Sequence, residues 1–234
     1  MRRLAALTAV LLTLSLTALT GCTRGDRPGA GAGQNQGGLP PAADLLSASA
    51  TEMRSVQIAR FEIATSGAGE MLGITGAKGV ITRAGDAEGT AQLAQGGNPV
   101  ELTFVVKGDT LYVKGLTGGW QKVPLAAAAT VYDPSALLSP DRGVAHVIAT
   151  AQDGRTEARE PVDGVETYKV KATFDTKALT TLVPGLNEKI TGSLWIGVER
   201  PLLHRIELPV RNRTGTITVS FSGFGEPATI SAPV

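Results

Sequence analysis

The sequence predicts an α+β fold, a strongly curved antiparallel sheet with helices packed on its concave face. Three observations carry that expectation. Apolar and polar residues alternate with period two in stretch after stretch, as in Val100, Leu102, Phe104 and Val106, the pattern of strands that are wet on one side. Two-residue turn signals, Gly108-Asp109 and Asp163-Gly164, join such stretches into hairpins. Apolar stripes of helical period also occur, and each must be buried against the apolar side of the sheet.

The first 41 residues stand apart from this pattern. Met1-Arg2-Arg3 is cationic, and Leu4 to Leu19 is almost free of charge, a run shorter than the roughly 20 residues of a membrane-spanning helix. It ends in Leu19-Thr20-Gly21-Cys22, which matches the bacterial lipobox. Residues 1–21 are therefore expected to be a lipoprotein signal peptide. Cys22, the only cysteine, is expected to become the lipidated N-terminus. Acyl chains on its sulfur and amine would anchor the protein stably on the extracytoplasmic face of the cell membrane. A lone cysteine used in this way leaves none for a disulfide or a thiolate metal site. Residues 22–41, rich in Gly and Pro, read as a flexible tether, and residues 42–234 as one domain.

Within the domain, Ala42 to Arg54 predicts a helix with Leu46, Ala50 and Met53 on one face. Val56, Ile58, Phe61 and Ile63 begin a strand ending near Ser66-Gly67. Two weaker strands follow, Leu72 to Arg83 and Thr90 to Gln95, the former crossed by Gly73, Gly76 and Gly79, which suggest bending. Val100 to Val106 and the return strand with Leu111 and Val113 form a hairpin of type II′, since its turn has glycine first. Asp133-Pro134 and Ser139-Pro140-Asp141 are helix starts, the second leading into a stripe of Val144, Val147, Ile148 and Ala151. Strands resume after Asp153-Gly154. Asp163-Gly164 is a turn signal of type I′, and Tyr168, Val170, Ala172 and Phe174 share one face beyond it. A short helix is capped by Asp175 and stopped by Pro184-Gly185. Ile190 to Val198, Leu202 to Val210 and Thr214 to Phe221 are the closing strands.

Composition and motifs narrow the function. The net charge is +1 and aromatics are 4% of the residues, so neither a basic field for nucleic acid nor a strip of stacking rings is expected. The two histidines, His146 and His204, sit in different elements, and no Gly-x-Ser-x-Gly elbow or phosphate-binding loop occurs. No catalytic residue, metal or cofactor is expected, and the chain reads as a non-enzyme. Mid-sized aliphatics on a glycine-bent sheet, roofed by helices, suit either a greasy ligand pocket or a close-packed core. Periodicity alone does not separate the two.

Several ordered stretches resemble one family. They are Phe104-Val105-Val106-Lys107-Gly108-Asp109-Thr110-Leu111-Tyr112, Trp120, the run from Tyr132-Asp133-Pro134 to Asp141-Arg142-Gly143, Asp163-Gly164, Thr167-Tyr168 and Leu194-Trp195-Ile196. Behind a lipobox, this set resembles the actinobacterial LppX/LprAFG lipoprotein family, whose half-barrels are akin to the LolA and LolB lipid carriers. The resemblance implies a half-barrel around an apolar cavity for a di- or triacylated lipid or lipoglycan, carried across the cell envelope, in some members beside an export transporter. It implies a wall containing Ala91 and Leu93, then Val100, Leu102, Phe104 and Val106, and the helix of Val144, Val147 and Ile148. Leu111, Val113, Leu137, Val170, Ala172, Leu194 and Ile196 are expected to complete the lining. Ala91 is smaller than the branched residue expected there, and Gln95 brings an amide where an apolar residue is usual. A tryptophan at Ala91 or Val144 is expected to obstruct the cavity in a folded protein. The ligand and the membrane are the expected partners of a monomer. The alternative is a non-carrier envelope lipoprotein of the same fold, a partner-binding or stress-sensing module.

Overall fold

The computed structural model describes residues 38–67, 73–95, 98–115, 118–128, 136–182, 189–210 and 215–233, all of which lie in the unit Asn35–Val234. The strands are β1 (Ile58–Ser66), β2 (Ile74–Thr82), β3 (Ala87–Gln95), β4 (Asn98–Lys107), β5 (Thr110–Lys114), β6 (Gln121–Pro124), β7 (Gln152–Val162), β8 (Val165–Phe174), β9 (Ile190–Gly197), β10 (Leu203–Val210) and β11 (Gly215–Ser222). The helices are α1 (Ala42–Ser55), α2 (Leu125–Ala128), α3 (Val144–Ala149) and α4 (Thr176–Leu182). The strands form one curved, open sheet of 11 in the order β6-β5-β4-β3-β2-β1-β11-β10-β9-β8-β7. Each strand pairs antiparallel with its sequence neighbour, except where β1 meets β11 and joins the two halves of the chain. The α+β expectation holds.

Both turn signals form as expected. Gly108 has φ 54° while Asp109 does not enter the positive region, as in a II′ turn, and Lys107 pairs Thr110 across it. Asp163 and Gly164 both have positive φ, 49° and 85°, as in a I′ turn. Helix α1 buries Leu46, Ala50 and Met53 as its stripe predicts, together with Ala42 and Ser49. Its Asp44 and Arg54 lie in the first and last turns, the favourable order for the helix dipole. Just before α1, the carbonyl of Pro40 accepts a bond from Thr156 Oγ1 at 2.7 Å, so the segment that enters α1 is fastened to β7.

Some boundaries move. β3 begins at Ala87 rather than Thr90, because Ala87 pairs Ile81 as soon as the turn at 83–86 closes. In β1 the buried residues are Ala59, Phe61 and Ile63, while Ile58 faces the other side. β6 is a short edge strand absent from the sequence reading, with one half-buried residue, Val123. Helix α3 starts at Val144, not at Ser139-Pro140-Asp141. Those residues make a turn in which Gly143 N–H bonds the Ser139 carbonyl and Val144 N–H bonds that of Leu137. A side chain at Gly143 would meet three carbonyl oxygens within 2.6 Å. The helix start at Asp133-Pro134 and the stop at Pro184-Gly185 lie outside the described residues.

β7 is the other edge, 11 residues long. Its pairing with β8 shifts register twice, and Arg155, Glu157, Arg159 and Pro161 are exposed along it. At β10 a register shift between Leu203 and Arg205 interrupts pairing, and the sulfur of Met53 accepts the buried Leu203 N–H at 3.4 Å.

The sheet is creased between β2 and β3. Gly79 and Gly89 face each other, and a Cβ on either would sit 2.1 Å from a carbonyl oxygen of the opposite strand. Only glycine permits this approach. Phe61 and Phe104, paired with Gly79 and Gly89 respectively, fill the space beside them. Gly89→Ala should therefore lose roughly 1–3 kcal/mol of stability, whereas Gly115→Ala, where a Cβ meets nothing within 4 Å, should melt close to the parent. Equal melting of the two variants in denaturant titrations would remove the crease as a structural requirement.

Asp86 links the 83–86 turn to the β4–β5 hairpin by accepting bonds from Lys107 Nζ at 2.7 Å and Gly108 N–H at 3.0 Å. The Lys107 bond, then the Gly108 N–H, holds its carboxyl below the ordinary value of 3.8. A lowered folded pKa means that the stabilisation is complete above that ordinary value and is lost as pH falls through the folded one. Asp86→Asn should cost about 1 kcal/mol near neutral pH, and the gap to the parent should close in acid. A gap that stays constant from pH 7 to pH 2 in chemical denaturation would show that the carboxylate is not its source.

Candidate functional site

The antiparallel register aligns the inward-facing residues into rows that cross the sheet. One row runs Val170, Leu194, Ile206, Val219, Ile63, Ala77, Ala91 and Leu102. A second runs Phe221, Phe61, Gly79, Gly89, Phe104 and Val113, and a third runs Ala59, Ile81, Ala87, Val106, Leu111 and Val123. None of these residues is charged.

Burial changes along the first row. From Val170 to Ile63 every residue is sealed, but Ala77, Ala91 and Leu102 are only partly buried. Leu111 and Val113 are likewise only partly buried. The cause is the placement of the helices. Met53 of α1 touches Leu203, Leu46 lies against Gly154 and α3 packs on α1. These contacts put α1 and α3 over the β7–β10 side, while the four-residue α2 lies against β5 and β6. Above Ala77 and Ala91, which pair with each other, the short side chains leave a low stretch of wall.

The expected lining residues sort accordingly. Phe104, Val106, Leu137, Val144, Val147, Ile148, Val170, Ala172, Leu194 and Ile196 belong to one buried cluster, with Ala91, Leu102, Leu111 and Val113 packed against its margin. Leu93 and Val100 pair with each other, are half buried and stand outside that cluster. Gln95 has no described side chain, and Cys22 lies outside the described residues. The expectation for Val144 changes: at 2% exposure it is sealed core, with no room for tryptophan. The reading missed Ala77, Ile206 and Val219. Their alternation is legible; Ala77 comes beside Ala91 through the β2–β3 pairing, and Ile206 and Val219 join the row through the β1–β11 pairing of distant segments.

Chemistry is sparse on this face. Among the described residues no group of three or more His, Cys, Asp or Glu could hold a metal. His204 stacks edge-on against Phe224 at 5.5 Å between centroids. Burial lowers its pKa, opposed by the charge of Asp163, so it is neutral at physiological pH. His146 is half buried on α3. Among the described residues no helix is long and apolar enough to cross a membrane.

A model of the LppX_LprAFG lipoproteins matches residues 41–230. The chain belongs to the LppX_LprAFG lipoprotein family. Among its relatives is a protein of Mycolicibacterium hassiacum named lipoarabinomannan carrier protein LprG, 32% identical over 99% of this chain and 98% of its own. The fold is similar to that of LprF from Mycobacterium bovis, with a TM-score of 0.74 at 24% identity over 82% of this chain and 96% of that one. It is also similar to LppX from Mycobacterium tuberculosis, with a TM-score of 0.64 at 19% identity over 81% and 98%.

The contrast between sealed and partly open wall predicts opposite outcomes for one substitution at two places. Val144→Trp should cost more than about 2 kcal/mol through overpacking, and Ala91→Trp should melt near the parent. Thermal melts of the two variants check this, and the reverse ranking would mean that the open stretch is misassigned.

Proposed function

We propose that this chain is a membrane-anchored carrier that holds the acyl chains of a lipid or lipoglycan against the inner face of its sheet and conveys them across the cell envelope. The observation that carries this reading is the partly buried end of the three rows. Partly buried Ala77, Ala91, Leu102, Leu111 and Val113 continue a sealed apolar core without a charged residue. Acyl chains gain about 25 cal/mol for each Å² of apolar area withdrawn from water. Such a surface binds them by area alone and requires no catalytic group. The name of the LprG relative, a lipoarabinomannan carrier, supports cargo of this class.

The remaining parts follow from the sequence. Cys22, behind the signal segment, carries the lipid anchor, and residues 22–41 give the domain reach from the membrane surface. Helices α1, α3 and α4 touch one another in the chain α1 to α3 to α4. They are the elements that would shift for loading and release.

The test is mass spectrometry of an organic extract from the Cys22→Ser chain expressed in an actinobacterial host, where a di- or triacylated species should be recovered near one per protein. Ala91→Trp should lower that occupancy several-fold at unchanged stability. The Cys22→Ser protein should also leave the membrane fraction. A clean extract and no uptake of offered lipid would turn the reading toward a partner-binding lipoprotein. A Cys22→Ser protein that stays tightly membrane-bound would remove the anchor.

A further inference from the structure

The outer face of the sheet carries a second concavity. A groove of about 710 Å³ crosses β11, β1, β2, β3 and β4, within the roughly 300–1,000 Å³ usual for ligand clefts. Its floor is the outward-facing pair Val80 and Val105, the latter only 7% exposed although it points away from the core. Arg60, Glu62, Lys78, Glu88, Thr90, Thr103, Ser220 and Ser222 also face it. It is flanked by Trp120, which precedes β6, and by Asp163, bonded at 3.4 Å to Arg205 of β10.

Two charges of the groove are paired outside it, Arg60 with Glu226 at 3.0 Å and Asp163 with Arg205 at 3.4 Å. Over β7–β10, Arg159 pairs with Glu166, Lys169 with Glu160, Lys171 with Glu157 and Arg205 with Asp163. In the groove, Glu62 and Lys78 occupy directly opposed positions on β1 and β2, yet neither forms an ion pair or side-chain hydrogen bond among the described residues, and the same holds for Glu88. Two free carboxylates, a free ammonium group and four hydroxyls surround an apolar floor beside a half-exposed indole.

We propose that this groove binds a neutral, polyhydroxylated glycan chain, the sugar part of a lipoglycan whose acyl chains lie on the opposite face. The proposal rests on the carrier reading for the identity of the cargo, and the groove chemistry argues for a glycan. Carboxylates accept hydroxyl hydrogens in pairs, serine and threonine both donate and accept, and the indole face covers the apolar C–H face of a sugar ring. Two cations against three anions leave no positive field for a polyanion, and the free charges on the floor's rim disfavour an apolar partner.

The probe is arabinomannan freed of its acyl chains, added to the full chain carrying Cys22→Ser. The chain has two tryptophans, and Trp195 is only 4% exposed. In a Trp195→Phe background the emission therefore reports Trp120. Saturable change of that emission is expected. In isothermal titration, binding should weaken about tenfold in Trp120→Ala and in Glu88→Gln separately, while uptake of a fluorescent diacyl phospholipid from vesicles stays at the parent level. Lipid uptake without arabinomannan binding overturns the groove and leaves the carrier reading intact. Arabinomannan binding that persists in both variants also overturns it. Glycan binding that is sensitive to both variants, without any lipid uptake, upholds the groove and removes the carrier reading.

Discussion

An open antiparallel sheet of 11 strands presents one apolar face, and the helices that cover it among the described residues are short. That mismatch governs the molecule. The longest of them, α1, has 14 residues and takes its place over β7 and β10, fastened by the Thr156–Pro40 bond, the Leu203–Met53 bond and the Arg200–Glu52 ion pair at 2.8 Å. Away from it, Ala77, Ala91 and Leu102 stay only partly buried. Water against partly buried aliphatics is unfavourable, and soluble proteins seldom keep such surface without a use for it.

On the β7–β10 side the core is sealed and four ion pairs lie on the outer face. Trp195 there is held by a 2.7 Å bond from Nε1 to Glu160 and lies under Lys169 at 5.0 Å and Arg205 at 5.8 Å from its ring. On the β1–β4 side Ala77, Ala91 and Leu102 are only partly buried, and Glu62, Lys78 and Glu88 form no ion pair among the described residues, while Arg60 pairs with Glu226. Surface ion pairs contribute little to stability individually. The Gly79–Gly89 crease sits on the β1–β4 side, where the sheet bends.

Much of this was legible in the sequence because it is local. The alternation of β4, β5 and β8, the two hairpin turns and the α1 stripe each depend on a few neighbouring residues, and these formed as read. The missed features depend on distance. β6 carries a single half-buried apolar residue, too little for a period-two signal, and pairs with β5 at the sheet edge. Ala77 looks like a weak strand residue until the register places it beside Ala91. Val144 and Ala91 are both small apolar residues in apolar stretches. Only the position of α1 over α3 makes one of them sealed and the other partly open. The groove was hidden for a related reason: Trp120 and Asp163 lie far apart in sequence, and the outward side chains between them read as an ordinary solvated face.

The β7 edge has a consequence for crowding. An 11-residue strand with a free side is long enough for a second copy to add to it, and then a third, until a fibre grows from the rim. Pro161 has no N–H to offer such a newcomer, the register shifts bend the rail it would follow, and Arg155, Glu157 and Arg159 would meet their own kind or surrender their hydration on stacking. The rim is therefore built to refuse polymerisation. A sheet that stays open for the sake of its inner face can remain open without zipping to its neighbours.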